Sequence, residues 1–249
     1  MINITRGHRP DSLDNPDIKT YLEEVVSYND LSEEDRKNAP QPKGGISYRN
    51  SDVLEAFDRD FYSKCYLTEQ KYQSSYSMDI EHFRSKAFGQ FPELKYEWSN
   101  LYPCSHDANM SKPRIERTGG YLDPCDSNDD VEKEIVYSLE MGGVAYFDVL
   151  NKDNVKAVNT CNLLHKIHNG TDEYSKKKTS ELRLLISKKE RDVIELIMEW
   201  LSSKLRNNSV EEIRLGGQLR RLLSRKSDFT MLLRSLSSVR KYVPVDYLD

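Results

Sequence analysis

The sequence predicts an α+β protein that is mostly helical, with a small strand-and-helix core between an N-terminal arm and a C-terminal helical bundle. Three observations carry this prediction. Prolines interrupt the first 50 residues, residues 75–83 alternate in polarity as a half-buried strand does, and apolar residues recur at helical spacing through 172–241. We therefore divide the chain into an arm (1–50), a central domain (51–170) and a helical region (171–249).

The arm is expected to contain little regular structure, because four prolines and Gly44-Gly45 punctuate it. A helix is predicted over 18–28, and a shorter one over 32–37 with Ser32 as its cap. Long irregular segments are often functional. Two readings stay open: the arm is a strap lying over the core, or it docks a partner.

The central domain begins with a predicted helix over 51–64, in which Leu54, Phe57 and Phe61 recur at helical spacing. The strand over 75–83 follows, and a loop leads from it to Trp98. Another helix is predicted to start near Ser105 and to carry Asn109 and Lys112 before a proline ends it.

Beyond a turn-rich stretch at 114–130, a β-hairpin is predicted over 134–149, turning at Gly142-Gly143. A helix over 155–168 comes next. Residues 172–241 predict three or four amphipathic helices packed as a bundle, with breaks near Asn207-Asn208 and at Gly216-Gly217.

The chain of 249 residues carries a net charge of −4, which argues against a strongly basic nucleic-acid binder. The charge is unevenly distributed. Residues 161–249 hold 18 Lys and Arg against 12 Asp and Glu, whereas residues 1–160 hold 19 against 29. Such asymmetry is a weak pointer to nucleic acid. Neither a membrane span nor an apolar signal region is visible, so a cytoplasmic protein is expected.

The four cysteines, Cys65, Cys104, Cys125 and Cys161, form no Cys-x-x-Cys pair. Structural zinc sites usually draw on such close pairs, so structural Zn²⁺ is unlikely. The favoured expectation is four small hydrophobic side chains that are buried.

The stretch from Cys65 to Lys112 holds residues suited to cleaving a phosphodiester bond. This reaction needs a base to activate water and positive charge to stabilise the transition state. His82 can serve as the base, because imidazole titrates near neutral pH. Glu81 and Asn109 offer oxygen ligands that suit Mg²⁺ or Mn²⁺, provided that a bend or twist brings Glu81 and His82 together. Lys112, one helical turn beyond Asn109, can meet a phosphate oxygen.

Each of these residues also fits an ordinary role. An acid–His pair is usually a surface pair, Asn109 could be an amide on a helix face, and Lys112 could be a solvated charge. Asn100 could cap a turn, and in the functional interpretation it keeps a structural job by bonding loop backbone. His106, three residues before Asn109, could touch phosphate or metal.

The order of these residues resembles the motif of the HNH endonucleases, which have the ββα-metal fold. The resemblance rests on Ile80-Glu-His-Phe83, Trp98-Ser-Asn-Leu101 and Asn109-Met-Ser-Lys112, and it covers about residues 1–170. Ile4-Thr-Arg6, Lys64-Cys65 and Leu122-Asp-Pro124 are similar to one branch of the family, which contains PtuB, the HNH subunit of Septu-type anti-phage systems. Such systems also accompany some retrons.

The resemblance implies a metal-dependent nuclease with His82 as general base and Asn100 as loop stabiliser. It implies Glu81 and Asn109 as ligands of one Mg²⁺ or Mn²⁺ ion. Asp79 is a further candidate ligand, because it lies two residues before Glu81 and on the same strand face. The residues expected to contact nucleic acid, DNA or RNA, are Arg84, Lys86, His106 and Lys112. The implied partner is a PtuA-like ATPase subunit, which would gate the nuclease in a hetero-oligomer.

The sequence departs from the family pattern at the zinc site that many members carry beside the ββα unit. Thr68 stands where a second cysteine is expected after Cys65. The other cysteine pair is represented only by Cys104, with Ala108 directly before Asn109. The alternative interpretation is a catalytically inactive binding or adaptor subunit that keeps the fold as a scaffold.

Overall fold

The computed structural model describes residues 1–42, 45–86 and 90–249, and Gly44 lies outside them. Helices make up 54% of the chain, and two small antiparallel sheets complete a mixed α+β fold, as predicted. The chain forms two compact units. The N-terminal unit contains residues 4–65 and 72–118, and the C-terminal unit contains residues 1–3, 66–71 and 119–249.

The N-terminal unit contains four α-helices and one two-stranded sheet within its described residues. Their bounds are α1 Pro16–Asn29, α2 Glu33–Asn38, α3 Ser51–Asp60, β1 Asp79–His82, β2 Leu101–Cys104 and α4 His106–Ser111. The two arm helices confirm the prediction, and the side chain of Ser32 caps α2 by accepting from the backbone of Asp35.

The helix predicted over 51–64 is shorter than expected. It ends at Asp60, and Tyr62 and Ser63 then adopt left-handed backbone conformations that helix cannot continue. The strand predicted over 75–83 is also shorter, because residues 75–77 form a 3-10 turn.

The core of the N-terminal unit is aromatic, and the arm contributes a charged group to it. Phe57 stacks on Trp98 with ring centroids 5.1 Å apart. The guanidinium of Arg6 lies 4.2 Å from the ring centroid of Tyr102 and 4.8 Å from that of Trp98. Arg6 also donates to the carbonyl oxygen of Leu101 at 2.9 Å. Cation–π contacts and a hydrogen bond therefore fasten the start of the arm to β2.

The C-terminal unit combines the predicted β-hairpin with helices. Its elements are α5 Val131–Glu134, β3 Ile135–Glu140, β4 Val144–Val149, α6 Val155–Asn169, α7 Glu173–Lys178, α8 Ser180–Leu205, α9 Ser209–Leu223, α10 Thr230–Ser235 and α11 Ser237–Tyr242. Gly142 and Gly143 make the hairpin turn with positive φ angles. Helix α6 packs against β4, α10 packs against β3, and α8 lies along α9.

The predicted break at Gly216-Gly217 is wrong, because both glycines lie inside α9. A Cβ atom at Gly216 would come within 2.8 Å of the Tyr247 hydroxyl and 3.4 Å of the Trp200 indole nitrogen. The glycine at 216 therefore serves close packing rather than a turn. The predicted break at Asn207-Asn208 is confirmed, and the Asn208 side chain caps α9.

The two compact units divide the chain near Thr118 rather than at the boundaries drawn from the sequence. The hairpin and α6 lie in the same unit as the C-terminal helices because they pack against them. Residues 1–3 join this unit through Asn3, whose side chain donates to Asp130 at 2.8 Å. Among the described residues, no helix is both long enough and apolar enough to cross a membrane.

Candidate active site

The candidate site lies where β1, β2 and α4 meet in the N-terminal unit. The strands pair in antiparallel register, with His82 opposite Leu101 and Asp79 opposite Cys104. Helix α4 begins directly after β2 and packs against β1. β2 was not predicted from its residue pattern. The four-residue segment Leu101–Cys104 is buried throughout, so it shows no alternation of polarity.

A cavity of about 300 Å³ opens at this junction. Five predicted site residues line it: Glu81, His82, Lys86, Asn109 and Lys112. Glu81 and His82 are adjacent in a strand and would normally face opposite sides. Both nevertheless reach the same cavity, which meets the condition set by the sequence prediction.

His82 is buried and is held in one orientation. Its Nε2 atom lies 3.0 Å from the carbonyl oxygen of Lys95, and Tyr48 packs edge-on with ring centroids 5.0 Å apart. Because a carbonyl oxygen can only accept, Nε2 carries the proton and Nδ1 keeps its lone pair. Burial first, and then the charge of Lys86, lower the pKa of His82 to about 4. The imidazole is therefore neutral at pH 7, which is the state that a general base requires.

Asn100 holds the loop that carries the Lys95 carbonyl. Its Oδ1 atom accepts from the backbone N–H of Arg84 at 2.7 Å, and its Nδ2 atom donates to the carbonyls of Arg84 and Leu94 at 3.1 Å each. The side chain thus ties the segment after β1 to the residue preceding Lys95. This is the loop-bonding role expected for Asn100 from the sequence.

Replacing Asn100 with alanine is expected to lower the free energy of unfolding by about 2–3 kcal/mol, because three backbone groups lose a buried partner. Asn109→Ala is the matched control, since Asn109 is half-buried and makes one side-chain hydrogen bond, to Asp79. Urea denaturation of both variants measures the difference. Equal losses would contradict the bracing role of Asn100.

Glu81 and Lys112 form a buried ion pair beside the cavity. The Lys112 Nζ atom contacts Glu81 Oε1, and the two side chains are 7% and 4% exposed. The ammonium also donates to the carbonyl oxygen of His82 at 3.1 Å and to that of Phe83. Lys112 is the C-cap residue directly after α4, and its backbone N–H donates to the carbonyls of Ala108 and Asn109. The end of the helix therefore fixes the position of the Lys112 backbone, from which the side chain extends to Glu81.

Asp79 organises a second group of predicted residues at the other end of β1. Its Oδ2 atom accepts from Asn109 Nδ2 at 3.0 Å and lies 3.0 Å from His106 Nδ1. His106 is largely exposed, and neither Asp79 nor His106 lines the cavity. Asn109 bonds to Asp79 and also lines the cavity. Because its Nδ2 atom points to Asp79, its Oδ1 atom is the one that remains for a cation.

The basic residues expected to meet nucleic acid differ in position. Lys86 lines the cavity, where it donates to the Tyr48 hydroxyl at 2.9 Å. Arg84 does not line it; its guanidinium lies 3.7 Å from the ring centroid of Phe91. Arg114 also lines the cavity and is exposed. Sequence reasoning missed Arg114, although its place two residues after Lys112 was a usable signal.

Tyr48 and the Lys95 carbonyl were also missed. Tyr48 lies 34 positions before His82, and nothing in its local sequence marks it as a neighbour of the imidazole. A backbone carbonyl has no residue-type signature at all, so no motif could have pointed to Lys95. The Lys95 contact depends on the tertiary path of the loop between the strands, and the Tyr48 contact depends on the path of the arm.

The chemistry of the cavity lining suits a hard cation in part. A carboxylate from Glu81 and an amide oxygen from Asn109 are ligands that Mg²⁺ and Mn²⁺ accept, with water completing the shell. The negative charge of Glu81 is, however, already met by Lys112. Within residues 1–42, 45–86 and 90–249, no three His, Cys, Asp or Glu side chains cluster around a potential metal position.

Three of the four cysteines are buried, as expected for small hydrophobic side chains: Cys65, Cys104 and Cys161. Cys125 is half-buried. Burial raises the pKa of the Cys104 thiol well above its usual value, and a hydrogen bond with Cys65 adds to this effect. The Cys104 thiol is thus protonated at neutral pH.

Comparisons with known proteins do not add to this geometry: no family model, no curated protein and no solved structure matches the chain. The function must therefore be argued from the side chains themselves.

Proposed function

We propose that this protein is an HNH endonuclease, a ββα-metal enzyme that hydrolyses phosphodiester bonds in nucleic acid. The observation that carries the proposal is the setting of His82. A buried, neutral imidazole donates its Nε2–H to a backbone carbonyl and lines a cavity together with a carboxylate, an amide and basic side chains. This is a combination that phosphodiester hydrolysis uses.

In the proposed reaction, His82 removes a proton from the attacking water through Nδ1. The Lys95 carbonyl holds the ring in place and fixes the tautomer, and Asn100 secures the loop that supplies this carbonyl. Lys86 and Arg114 face the cavity with positive charge, which favours a phosphate there and stabilises charge that develops on its oxygens.

The proposed cofactor is Mg²⁺ or Mn²⁺, with Glu81 and Asn109 as its ligands. When bound, such an ion would supply Lewis-acid stabilisation of the phosphate and of the leaving oxygen. Asp79 supports this arrangement indirectly in our proposal, since it accepts from Asn109 Nδ2 and so orients the amide.

The resemblance in sequence extends the proposal to a biological role. We propose that the chain is the cytoplasmic effector subunit of an anti-phage defence complex, controlled by a PtuA-like ATPase. The arm and the exposed apolar side chains of α8 and α9, among them Met198, Leu205 and Ile213, are surfaces available for such a partner.

The test is a cleavage assay with purified chain, alone and together with its partner ATPase. Plasmid DNA and tRNA are incubated with Mg²⁺ or Mn²⁺, with and without ATP, and EDTA serves as the control. We expect cleavage that requires the divalent ion. Intact DNA and RNA under all nucleotide conditions would refute the nuclease.

One observation favours a second candidate function, that of a catalytically inactive adaptor with a retained scaffold. Lys112 neutralises Glu81, the carboxylate expected to bind the ion. The adaptor predicts no Mn²⁺ binding with or without a non-cleavable oligonucleotide, whereas the nuclease predicts binding in the presence of the oligonucleotide that Glu81→Gln removes. Calorimetry on wild type and Glu81→Gln separates the two.

A further inference from the structure

The ammonium group of Lys112 occupies a position that resembles a cation site. Three oxygen atoms surround it: Glu81 Oε1, the carbonyl of His82 at 3.1 Å, and the carbonyl of Phe83. The ammonium also lies 5.1 Å from the ring centroid of Phe83. A carboxylate with backbone carbonyls is also the kind of ligand set that hard metal ions prefer. The side chain is 7% exposed, so this is a built position and not a contact at the surface.

Charge balance allows either the ammonium or a divalent ion at Glu81, but not both. A buried carboxylate needs a positive partner, and Lys112 supplies one charge to Glu81. A divalent ion at the same carboxylate would place three positive charges beside one negative charge if the ammonium stayed. The ammonium and the ion therefore compete for Glu81.

The fold allows the ammonium to leave without unfolding the helix. The backbone of Lys112 is fixed by hydrogen bonds to Ala108 and Asn109, and its side chain is a flexible four-carbon stem. Both Lys112 and Glu81 line the cavity in which we place the substrate. Rotation of the stem would carry the charge from Glu81 into this cavity, where a phosphate oxygen is a suitable new partner.

We propose that Lys112 is a built-in competitor of the metal ion: it neutralises Glu81 in the resting site and moves to the substrate phosphate when a divalent ion binds. This inference rests on the proposed function and adds a form of regulation to it. Metal ion and nucleic acid both favour the displaced lysine, so each strengthens binding of the other. The resting site binds divalent ions weakly until nucleic acid arrives.

The experiment measures Mn²⁺ binding by electron paramagnetic resonance and calorimetry, in the absence of cleavage. Lys112→Met removes the charge and keeps the length of the side chain. We expect it to bind Mn²⁺ about tenfold more tightly than wild type. Lys86→Met is the matched control, because Lys86 lines the same cavity but bonds to Tyr48 instead of Glu81. Its affinity should change by less than about threefold, through general electrostatics alone.

A second variant keeps the test valid if Lys112→Met folds poorly because Glu81 loses its ion pair with Lys112. Lys112→Arg retains the charge and can pair with the carboxylate in a bidentate manner, so its Mn²⁺ affinity should equal that of wild type or fall below it. A non-cleavable phosphorothioate oligonucleotide should tighten Mn²⁺ binding to wild type, and should do so much less in Lys112→Met.

The outcomes separate the two proposals. Wild-type affinity in Lys112→Met, or a tenfold gain in Lys86→Met as well, overturns the competition while leaving the nuclease intact. Tighter binding in Lys112→Arg overturns it too. The absence of Mn²⁺ binding in every variant, with or without the oligonucleotide, overturns both proposals.

Discussion

His82→Ala is expected to reduce metal-dependent cleavage at least about 100-fold, because the proposed reaction loses its general base. The effect is large for a structural reason. The imidazole is buried and fixed by the Lys95 carbonyl, so water in the vacated space would have neither its orientation nor its basicity. Initial rates on plasmid DNA and tRNA measure the loss, and circular dichroism shows whether the variant is folded.

His8→Ala is the control for this variant, since His8 is an exposed histidine of the same unit. Its cleavage rate should match that of wild type. Retention of most activity by His82→Ala would exclude His82 as the base, whatever the fate of the metal site.

The low pKa of His82 gives the same prediction a pH dependence. A base with a pKa of about 4 is already unprotonated at pH 5. The acid limb of the kcat/KM profile should therefore lie near pH 4, and not near the value of about 6.5 that is usual for histidine. An acid limb centred near pH 6.5 would show that another group, or a differently placed His82, controls the rate.

Acidification from pH 7 to pH 4.5 is expected to destabilise the protein by several kcal/mol. Burial lowers the pKa of His82 to about 4 and that of His168 to about 3. Both groups bind protons near pH 6.5 when the chain is unfolded. Between pH 6.5 and the folded pKa values, the unfolded state therefore binds more protons, so stability falls as the pH falls. The full shift at His82 alone corresponds to roughly 3 kcal/mol.

Urea denaturation at several pH values between 7 and 4.5 measures this loss, and His168→Gln is the informative variant. His168 is fully buried in α6 beside Phe147, at a ring-centroid distance of 5.0 Å. The variant should show a shallower decline with pH. Carboxylates with lowered pKa values, such as Asp52, titrate below the range from pH 7 to pH 4.5. The raised pKa of Glu190 makes stability rise as the pH falls, which opposes the effect of the two histidines. An unchanged slope in His168→Gln would contradict a neutral buried His168.

Much of the fold could be predicted because its elements follow local rules. The hairpin around Gly142-Gly143 alternates in polarity over both strands, and α1, α6 and α8 carry apolar residues at helical spacing. The missed strand β2 and the wrong helix break at Gly216 have the same cause, because both features depend on tertiary contacts. β2 is too short and too buried to show a period, and Gly216 is explained by Tyr247, which lies 31 positions away.

The candidate site was predictable to a similar degree. The spacing of the motif predicted that Glu81, His82, Asn109 and Lys112 lie close together, and all four line one cavity. The motif did not predict that Lys112 would form an ion pair with Glu81 instead of pointing into solvent. Side-chain direction at the end of a helix is set by what packs around it, and a spacing rule does not contain this information.

The hydrogen bond between His82 and the Lys95 carbonyl has a consequence for how the site responds to mutation. A main-chain atom selects the tautomer of the imidazole, and every residue type at position 95 provides the same oxygen. A saturation scan should therefore find that cleavage tolerates substitutions at position 95, whose side chain contributes only contacts away from the imidazole, such as the bond from its ammonium to the Tyr21 hydroxyl at 3.0 Å. Sensitivity should move to positions that shape the backbone path around it, such as Asn100 and the buried Tyr96, whose hydroxyl donates to the carbonyl of Ile46. Positions 96 and 100, which do not contact the substrate, would then tolerate fewer substitutions than position 95, which contacts the proposed base.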